Sequence, residues 1–534
     1  LLAQSDPSAK RRVTASYLLK GGYVVTAPGR SPEALEIHIH EGLIEQVGKN
    51  LKVPTGTQTL QLDSLYIYAG FLDAASYAGV STPPAGERPS NFDYTSPPDE
   101  LAGISPWMDV TDFMDMRNQA IKDARKAGFT LGHMIPQGGM MPGKSALVVF
   151  GEEDRINSVR KEVTAVAKFR GARGMYPGTP LGVMAKFRDL YKNTELAARH
   201  ERLFANAGNM QRPEVTKTQR ALFPVVDQQL TVAFQVSNDL EARRAMRLQK
   251  ELGFNLMLLG VDDVAYLVDE LKAAKMRVVL KPALPKEPKA AGDDASEEVQ
   301  ARLDKVQEAY TQKVKQAATL ADNGILFAFG TMETKAGEAL PAIRKMVAAG
   351  LKEEAALAAL TTNPARMLGV DNFIGRIEKG KLANFTISTA PIFSEEAQIK
   401  HVIADGFVYD YEVSQKKKAS GNGQAAPGIT GEWTYESTTP AGSGGGTMTI
   451  SREGESYSGT ITYDDPAGGG KASASMQNIE FNEGKLRFSF DVSAAGMELQ
   501  VRVSGDVAGS NFTGTMNIAD FGTFPLSAEK KPTL

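Results

Sequence analysis

Apolar positions along this chain change period at two places, and each change predicts a different architecture. Residues 17–25 are apolar and β-prone, residues 35–40 alternate, and residues 43–48 resume after Glu41-Gly42. A period of two broken by a glycine turn predicts a hairpin. Residues 110–127 have helical spacing up to Gly128, and a strand follows at 129–135, closed by Pro136-Gln137-Gly138-Gly139. A polar helix is predicted at 195–211. Strands at 230–236, 255–259 and 277–280 then alternate with helices at 240–252 and 264–274. That alternation implies a parallel sheet covered by helices. An amphipathic helix at 296–320 leads into a strand at 324–331.

Beyond residue 429 the period shortens again. Segments 445–451, 456–463, 475–481, 485–491, 498–505, 511–518 and 522–529 alternate and are separated by Gly-rich turns. Short strands at this spacing predict an all-β sandwich or barrel, with Trp433 as its core plug. Tyr457-Ser458-Gly459-Thr460 and Phe512-Thr513-Gly514-Thr515 form a weak internal repeat. Between the predicted elements, residues 81–106 and 283–300 read as loops. Residues 413–428, with Lys416-Lys417-Lys418 and then Ser, Gly, Asn, Gln, Ala and Pro, read as a linker.

Composition narrows the function classes. A chain of 534 residues that is 42% hydrophobic and 23% charged has the length and composition of a globular protein with several domains. A net charge of -3 gives no global surface for nucleic acid. With no cysteine, neither a disulfide framework nor a thiolate metal site can form. No apolar run reaches the length of a membrane-spanning helix. The opening Leu1-Leu2-Ala3-Gln4 reads as the end of a secretory signal cut between Ala3 and Gln4, so the expected location is exported, periplasmic or cell-surface.

Candidate chemistry centres on residues 66–77, Tyr-Ile-Tyr-Ala-Gly-Phe-Leu-Asp-Ala-Ala-Ser-Tyr. This run resembles the first barrel strand of the amidohydrolase superfamily, which usually reads Pro-Gly-Phe-Ile-Asp-x-His-x-His. Gly70, Phe71, Leu72 and Asp73 match, whereas the two metal-binding histidines fall on Ala75 and Tyr77. Residues 41–48 resemble the Asp-Gly-x-Ile-x-x-Val-Gly signature of the same superfamily. Ala127-Gly128-Phe129-Thr130, Pro136-Gln137-Gly138-Gly139, Gly143-Lys144-Ser145-Ala146 and Tyr176-Pro177 resemble its imidazolonepropionase-like branch, which carries a Gly-rich hairpin insertion after the second strand. Thr361-Thr362-Asn363-Pro364-Ala365 and Gly375-Arg376-Ile377-Glu378-Lys379-Gly380-Lys381-Leu382-Ala383-Asn384 resemble its closing segment.

The resemblance implies a TIM-like (β/α)8 barrel over residues 69–369. It also implies a small β-sandwich built from both flanks, 17–68 and 370–412, after an N-terminal tail at 1–16. The linker 413–428 and a C-terminal all-β domain at 429–534 complete the expected organisation. The metal-binding histidines implied on two later strands fall near Gln235 and Leu259, and the aspartate that ends the last strand is Met332. Neither an alanine methyl, a leucine nor a thioether replaces an imidazole or a carboxylate on a borderline cation. No cofactor is therefore expected. The alternative is zinc at misplaced ligands.

Five histidines, His38, His40, His133, His200 and His401, are few for a superfamily whose binuclear site typically uses four. His38-Ile39-His40 reads as a solvated strand face, His133 as a satisfied core histidine and His200 as surface. The expected function is a metal-free structural, binding or partner subunit, in a homo- or hetero-oligomer or paired with a catalytically complete homologue. The alternative is a hydrolase of C–N bonds, amide or cyclic amide, that uses Asp73, Lys281 and Glu333. Strand alternation is expected to turn Glu333 away from the side that Met332 occupies.

Overall fold

A computed structural model describes residues 11–12, 16–84, 93–153, 155–171, 173–206, 210–262, 264–288, 296–413, 429–439, 442–453, 456–464, 470–482, 484–494, 497–518 and 522–531. The chain divides into two compact units, Leu1–Ser414 and Gln415–Leu534. Most of the expected linker, residues 414–428, lies outside the described residues, as do parts of the two expected loops.

The first unit is a TIM-like barrel. Its parallel strands are β1 (Phe71–Ser76), β2 (Phe129–Met134), β3 (Thr164–Lys168), β4 (Thr231–Gln235), β5 (Leu256–Val261), β6 (Arg277–Leu280) and β7 (Phe327–Phe329). β1 pairs with β2, and β3 to β7 pair in sequence, all in parallel. Between β2 and β3 runs an antiparallel stave, Ala146–Val149 against β2 and Gly143–Lys144 against β3. This is the Gly-rich insertion expected after the second strand, and here it completes the wall. Closure comes from the far side, where Met332 N–H, just past β7, donates to Ala75 O on β1 at 2.9 Å. The parallel strands are buried along nearly their whole length, as strands covered on both faces must be.

The helices start where the local chemistry allows. The expected helix at 110–127 is a 3-10 turn, Val110–Phe113, followed by α1, Gln119–Lys126. Two side-chain caps cut it in two: Asp109 Oδ1 accepts from Thr111 N at 2.8 Å and Asn118 Oδ1 from Ala120 N at 2.9 Å. The expected helix at 195–211 is the second half of α2, Pro180–Asn206, whose proline sits at the first helical position where it costs no hydrogen bond. α3, Lys217–Val226, carries a capping box between Thr216 and Gln219. α4, Asp239–Leu252, begins at Asn238 and stops at Gly253, whose φ of 81° is the left-handed conformation that glycine tolerates. α5 (Val268–Ala273), α6 (Glu297–Asp322) and α7 (Ala336–Ala348) complete the ring used below.

Beside the barrel, two sheets share one core. Strand Phe385–Ser388 pairs antiparallel with Tyr66–Ala69 and joins the two flanks of the chain in a seven-stranded sheet. A four-stranded sheet (Leu43–Gly48, Glu36–His40, Ser16–Lys20, Gln58–Gln61) packs with it over Leu19, Val24, Ile37, Ile39, Ile67 and Phe385. His38 departs from expectation. It is buried, and its Nε2 lies 2.7 Å from Ser16 Oγ, while His40 is exposed. The extra residue of the register shift, Glu45, lies on the partner strand Leu43–Gly48, so the alternation of Glu36–His40 is kept; His38 is covered by Ser16, whereas His40 ends the strand.

The second unit is a nearly closed antiparallel sheet of nine described strands. Its first, Gly431–Thr439, pairs with its last, Gly522–Lys530. Seven strands are visible in the sequence pattern. The first strand itself and the separation of Lys471–Ser475 from Gln477–Asn482 make up the difference. Trp433 is buried at the centre and its indole N–H donates to Ile429 O at 2.9 Å, as a core plug requires.

Candidate functional site at the barrel mouth

The C-terminal ends of β1 to β7 converge on the face where barrels of this type place their chemistry. Three of the positions that the resemblance assigns to metal ligands lie in the packed interior. Ala75 and Leu259 are 0% exposed and Met332 is 1% exposed, and all three belong to one apolar cluster with Leu72, Ala233, Met257, Val279 and Ala328. Met332 Cε lies so close to Gly260 that a Cβ there would meet it at 2.9 Å.

Above that plug lies a polar chain. Lys168 Nζ, at the end of β3, donates to Tyr77 Oη at 3.2 Å. Tyr77 Oη donates to Gln235 Oε1, at the end of β4, at 2.6 Å. Gln235 Nε2 donates to Glu333 Oε1 at 3.0 Å, and Lys281, just past β6, closes the chain on Glu333 Oε2 at 2.8 Å. The sequence marks Lys281 and Glu333 as candidates and Tyr77 and Gln235 as lost metal positions, and the structure brings the four together.

Glu333 reaches the mouth against expectation. Alternation alone would turn it from the side that Met332 occupies, but its φ of 60° is left-handed, unusual for a residue with a Cβ, and it redirects the chain just after β7. Asp73 stands apart from this chain. It is fully buried and accepts from Thr331 N at 2.8 Å and from the Thr331 hydroxyl, so it ties the end of β1 to the segment after β7. Burial raises its carboxyl to about 6, while the bonds from Thr331 pull the other way. His133 is a core histidine, as expected. Nδ1 lies 2.9 Å from Ala74 O and Nε2 lies 2.7 Å from Ser145 Oγ, and burial lowers it to about 4, leaving a neutral ring.

Lys168 escapes the sequence reading, because strand β3 carries no strong pattern of its own. The available signal is the run Val163-Thr164-Ala165-Val166-Ala167 leading into it. Burial lowers its ammonium to about 8, partly opposed by the Glu333 charge and assisted by Arg170. Burial and the Glu333 charge push the Tyr77 phenol well above its ordinary value, so it stays protonated and works as a hydrogen-bond donor. Beside this chain, Tyr77, Thr331 and Glu333 also line a cavity of about 700 Å³ between α1 and α7, with Leu340 and Ile399 among its apolar walls.

These residues do not fit a divalent metal. Ala75 and Leu259 have no donor atom, Met332 offers a thioether enclosed in hydrocarbon, and the Tyr77 phenol keeps its proton. Among the described residues no group of three or more His, Asp or Glu is placed to hold an ion.

Residues 234–408 match the amidohydrolase family. No curated protein sequence matches the chain. Among solved structures, an amidohydrolase from Thermotoga maritima MSB8 superposes with a TM-score of 0.60 at 21% identity, covering 74% of this chain and 100% of that one. A second amidohydrolase and a prolidase complexed with N-methylphosphonate-L-proline are looser likenesses, with TM-scores of 0.45 and 0.44. Each is 15% identical and covers 74% of this chain and 100% of its own. The matched segment runs from β4 through the closing strands of the sandwich, and the first unit of this chain shares the fold of the Thermotoga maritima amidohydrolase.

Proposed function

We propose that the barrel unit is an amidohydrolase-superfamily protein without the superfamily's metal centre, acting as a non-catalytic binding or partner subunit. The observation that supports this most is the packing of Ala75, Leu259 and Met332 into a single buried apolar cluster. Inserting an ion there requires new ligands and the opening of a close-packed core, and a buried charge without ligands is strongly disfavoured. Above the cluster the side chains of Tyr77, Gln235, Lys281 and Glu333 are linked by hydrogen bonds, which lines the mouth with polar groups suited to binding. A catalytically complete homologue is the partner this reading suggests.

Elemental analysis of protein purified without chelators or affinity metals tests the reading. Less than about a tenth of an equivalent of zinc, manganese, iron, cobalt or nickel is expected, since the superfamily's hydrolysis uses a bound ion to activate water. One or more equivalents would overturn it.

One observation favours a second reading, a hydrolase of C–N bonds: the Glu333 carboxylate stands in the mouth, half-exposed and oriented by Lys281 and Gln235. Turnover of dipeptides by metal-free protein, lost in Glu333→Gln, would establish it. No turnover is expected.

A further inference from the structure

Lys168 is the member of the mouth whose bonding is incomplete. Its side chain is buried at the end of β3, yet the hydrogen bond it makes goes to a phenol, Tyr77 Oη at 3.2 Å, and its Nζ lies 5.4 Å from the centre of the same ring. The carboxylate of the cluster, Glu333, is engaged by Lys281 at 2.8 Å and by Gln235 at 3.0 Å. Arg170 adds a second positive charge that acts on both Lys168 and Tyr77. An amine that is desolvated and near another cation gives up its proton readily and becomes a nucleophile near neutral pH. Burial, the largest cause, brings Lys168 to about 8. At pH 7 roughly a tenth of such an amine is neutral, against roughly one part in two thousand for an ordinary lysine.

We propose that Lys168 holds a small α-oxo acid, an aldehyde or ketone bearing a carboxylate, as an imine at the barrel mouth. This rests on reading the mouth as metal-free, and it names the ligand class for that same site. The neutral Nζ adds to the carbonyl carbon. A C–N bond forms, the C=O π pair moves to oxygen, and that oxygen takes up the proton released by nitrogen. The resulting carbinolamine loses its hydroxyl together with the remaining N–H proton as one water, which leaves C=N. No oxidant or reductant takes part. Tyr77 Oη accepts an N–H of Lys168 and so orients the amine at the mouth. The carboxylate follows from charge: once Lys168 is an uncharged imine, the charges named around it are the cations of Lys281 and Arg170 and the single carboxylate Glu333, an excess of one positive charge.

The test uses the full chain, with metal content measured on the same batch. Protein is incubated with glyoxylate and sodium cyanoborohydride, which reduces an imine to a stable carboxymethyl-lysine, and the adduct is located by peptide mass spectrometry. The Lys168 adduct is expected to form at least about tenfold faster than that of the average lysine, because the roughly two-hundredfold larger neutral fraction is offset only in part by the lower intrinsic nucleophilicity of a less basic amine. Its rate should rise as pH passes through 8, and neutral acetaldehyde should label Lys168 more slowly than glyoxylate does. Lys168→Arg should remove this adduct and leave the slow surface labelling. Metal-free protein in which the label spreads over surface lysines without enrichment at Lys168 overturns the inference alone. Metal-loaded protein overturns the reading of the mouth on which it rests.

Discussion

His133 and Asp73 are buried ionisable groups on the paired strands β2 and β1, and their pKa values are displaced in opposite senses. His133 falls to about 4 and Asp73 rises to about 6, both chiefly by burial. In the unfolded chain a histidine titrates near 6.5 and an aspartate near 3.9. Between pH 4 and 6.5 the unfolded chain binds the histidine proton and the folded chain does not, so His133 costs stability as pH falls through that window. Over nearly the same window the folded chain holds the Asp73 proton and the unfolded chain does not, so Asp73 adds stability as pH falls. The two slopes nearly cancel. Replacing His133 by Gln should unmask the aspartate: relative to wild type, the variant gains about 3 kcal/mol between pH 6.5 and 4, measured by urea unfolding. Parallel pH profiles for the two proteins would refute the assignment. Met332 makes a simpler case. It is enclosed among Ala75, Leu259 and Val279, so Met332→Ala should cost about 2–4 kcal/mol through the cavity it leaves. These identities are readable in the sequence as lost ligands. That they form a packed plug is not, because no local pattern says which strand ends meet in space.

At the scale of elements, the strands with strong apolar runs and glycine or proline stops are visible in the sequence, and the weaker ones are not. β4, β5 and β6 stand out as runs of Val, Leu and Phe between helices with clear ends. β3 is short, rich in alanine, and flanked by an antiparallel stave rather than a helix, so neither the strand nor Lys168 at its tip announces itself. The first half of α2 is likewise hidden behind Pro180, which reads as a breaker unless it is placed at the first helical position. α4 offers the cleanest test of an element's own chemistry. Gly253 ends it at φ 81°, and no atom lies within 4 Å of the place a Cβ would take, so space is not the constraint. Gly253→Ala should therefore cost about 1 kcal/mol through backbone strain alone. Thermal unfolding checks this, and no loss would mean that the turn relaxes. The polar chain at the mouth is itself a property of several elements. Tyr77, just past β1, bridges to β3 and β4 at once, and Tyr77→Phe removes both bonds. Loss of the acceptor for the Lys168 ammonium should lower that amine below 8, seen as a shift to lower pH in its labelling profile.

The whole molecule carries two separate sets of apolar cores. The barrel and its sandwich are built around clusters confined to the first unit, and the nine-stranded sheet encloses its own, centred on Trp433, Phe488, Phe490 and Phe512. A unit with its own core can unfold cooperatively by itself. The two tryptophans of the chain make this measurable, because Trp107 lies in the first unit and Trp433 in the second. Trp107 sits partly exposed under the Lys217 ammonium at 4.2 Å, whereas Trp433 is buried, so the two should emit at different wavelengths and respond differently on unfolding. Two denaturant transitions are expected. Trp433→Phe should leave fluorescence that follows the barrel alone, and Trp107→Phe fluorescence that follows the β-sheet unit alone. Met332→Ala should then move the Trp107 transition to lower urea and leave the Trp433 transition in place. If both transitions move together, the two units fold as one, and the β-sheet unit is energetically part of the barrel. If only the first moves, the second unit is an independent module, and whatever the barrel mouth binds, the β-sheet unit contributes to it by attachment and not by supporting the barrel's fold.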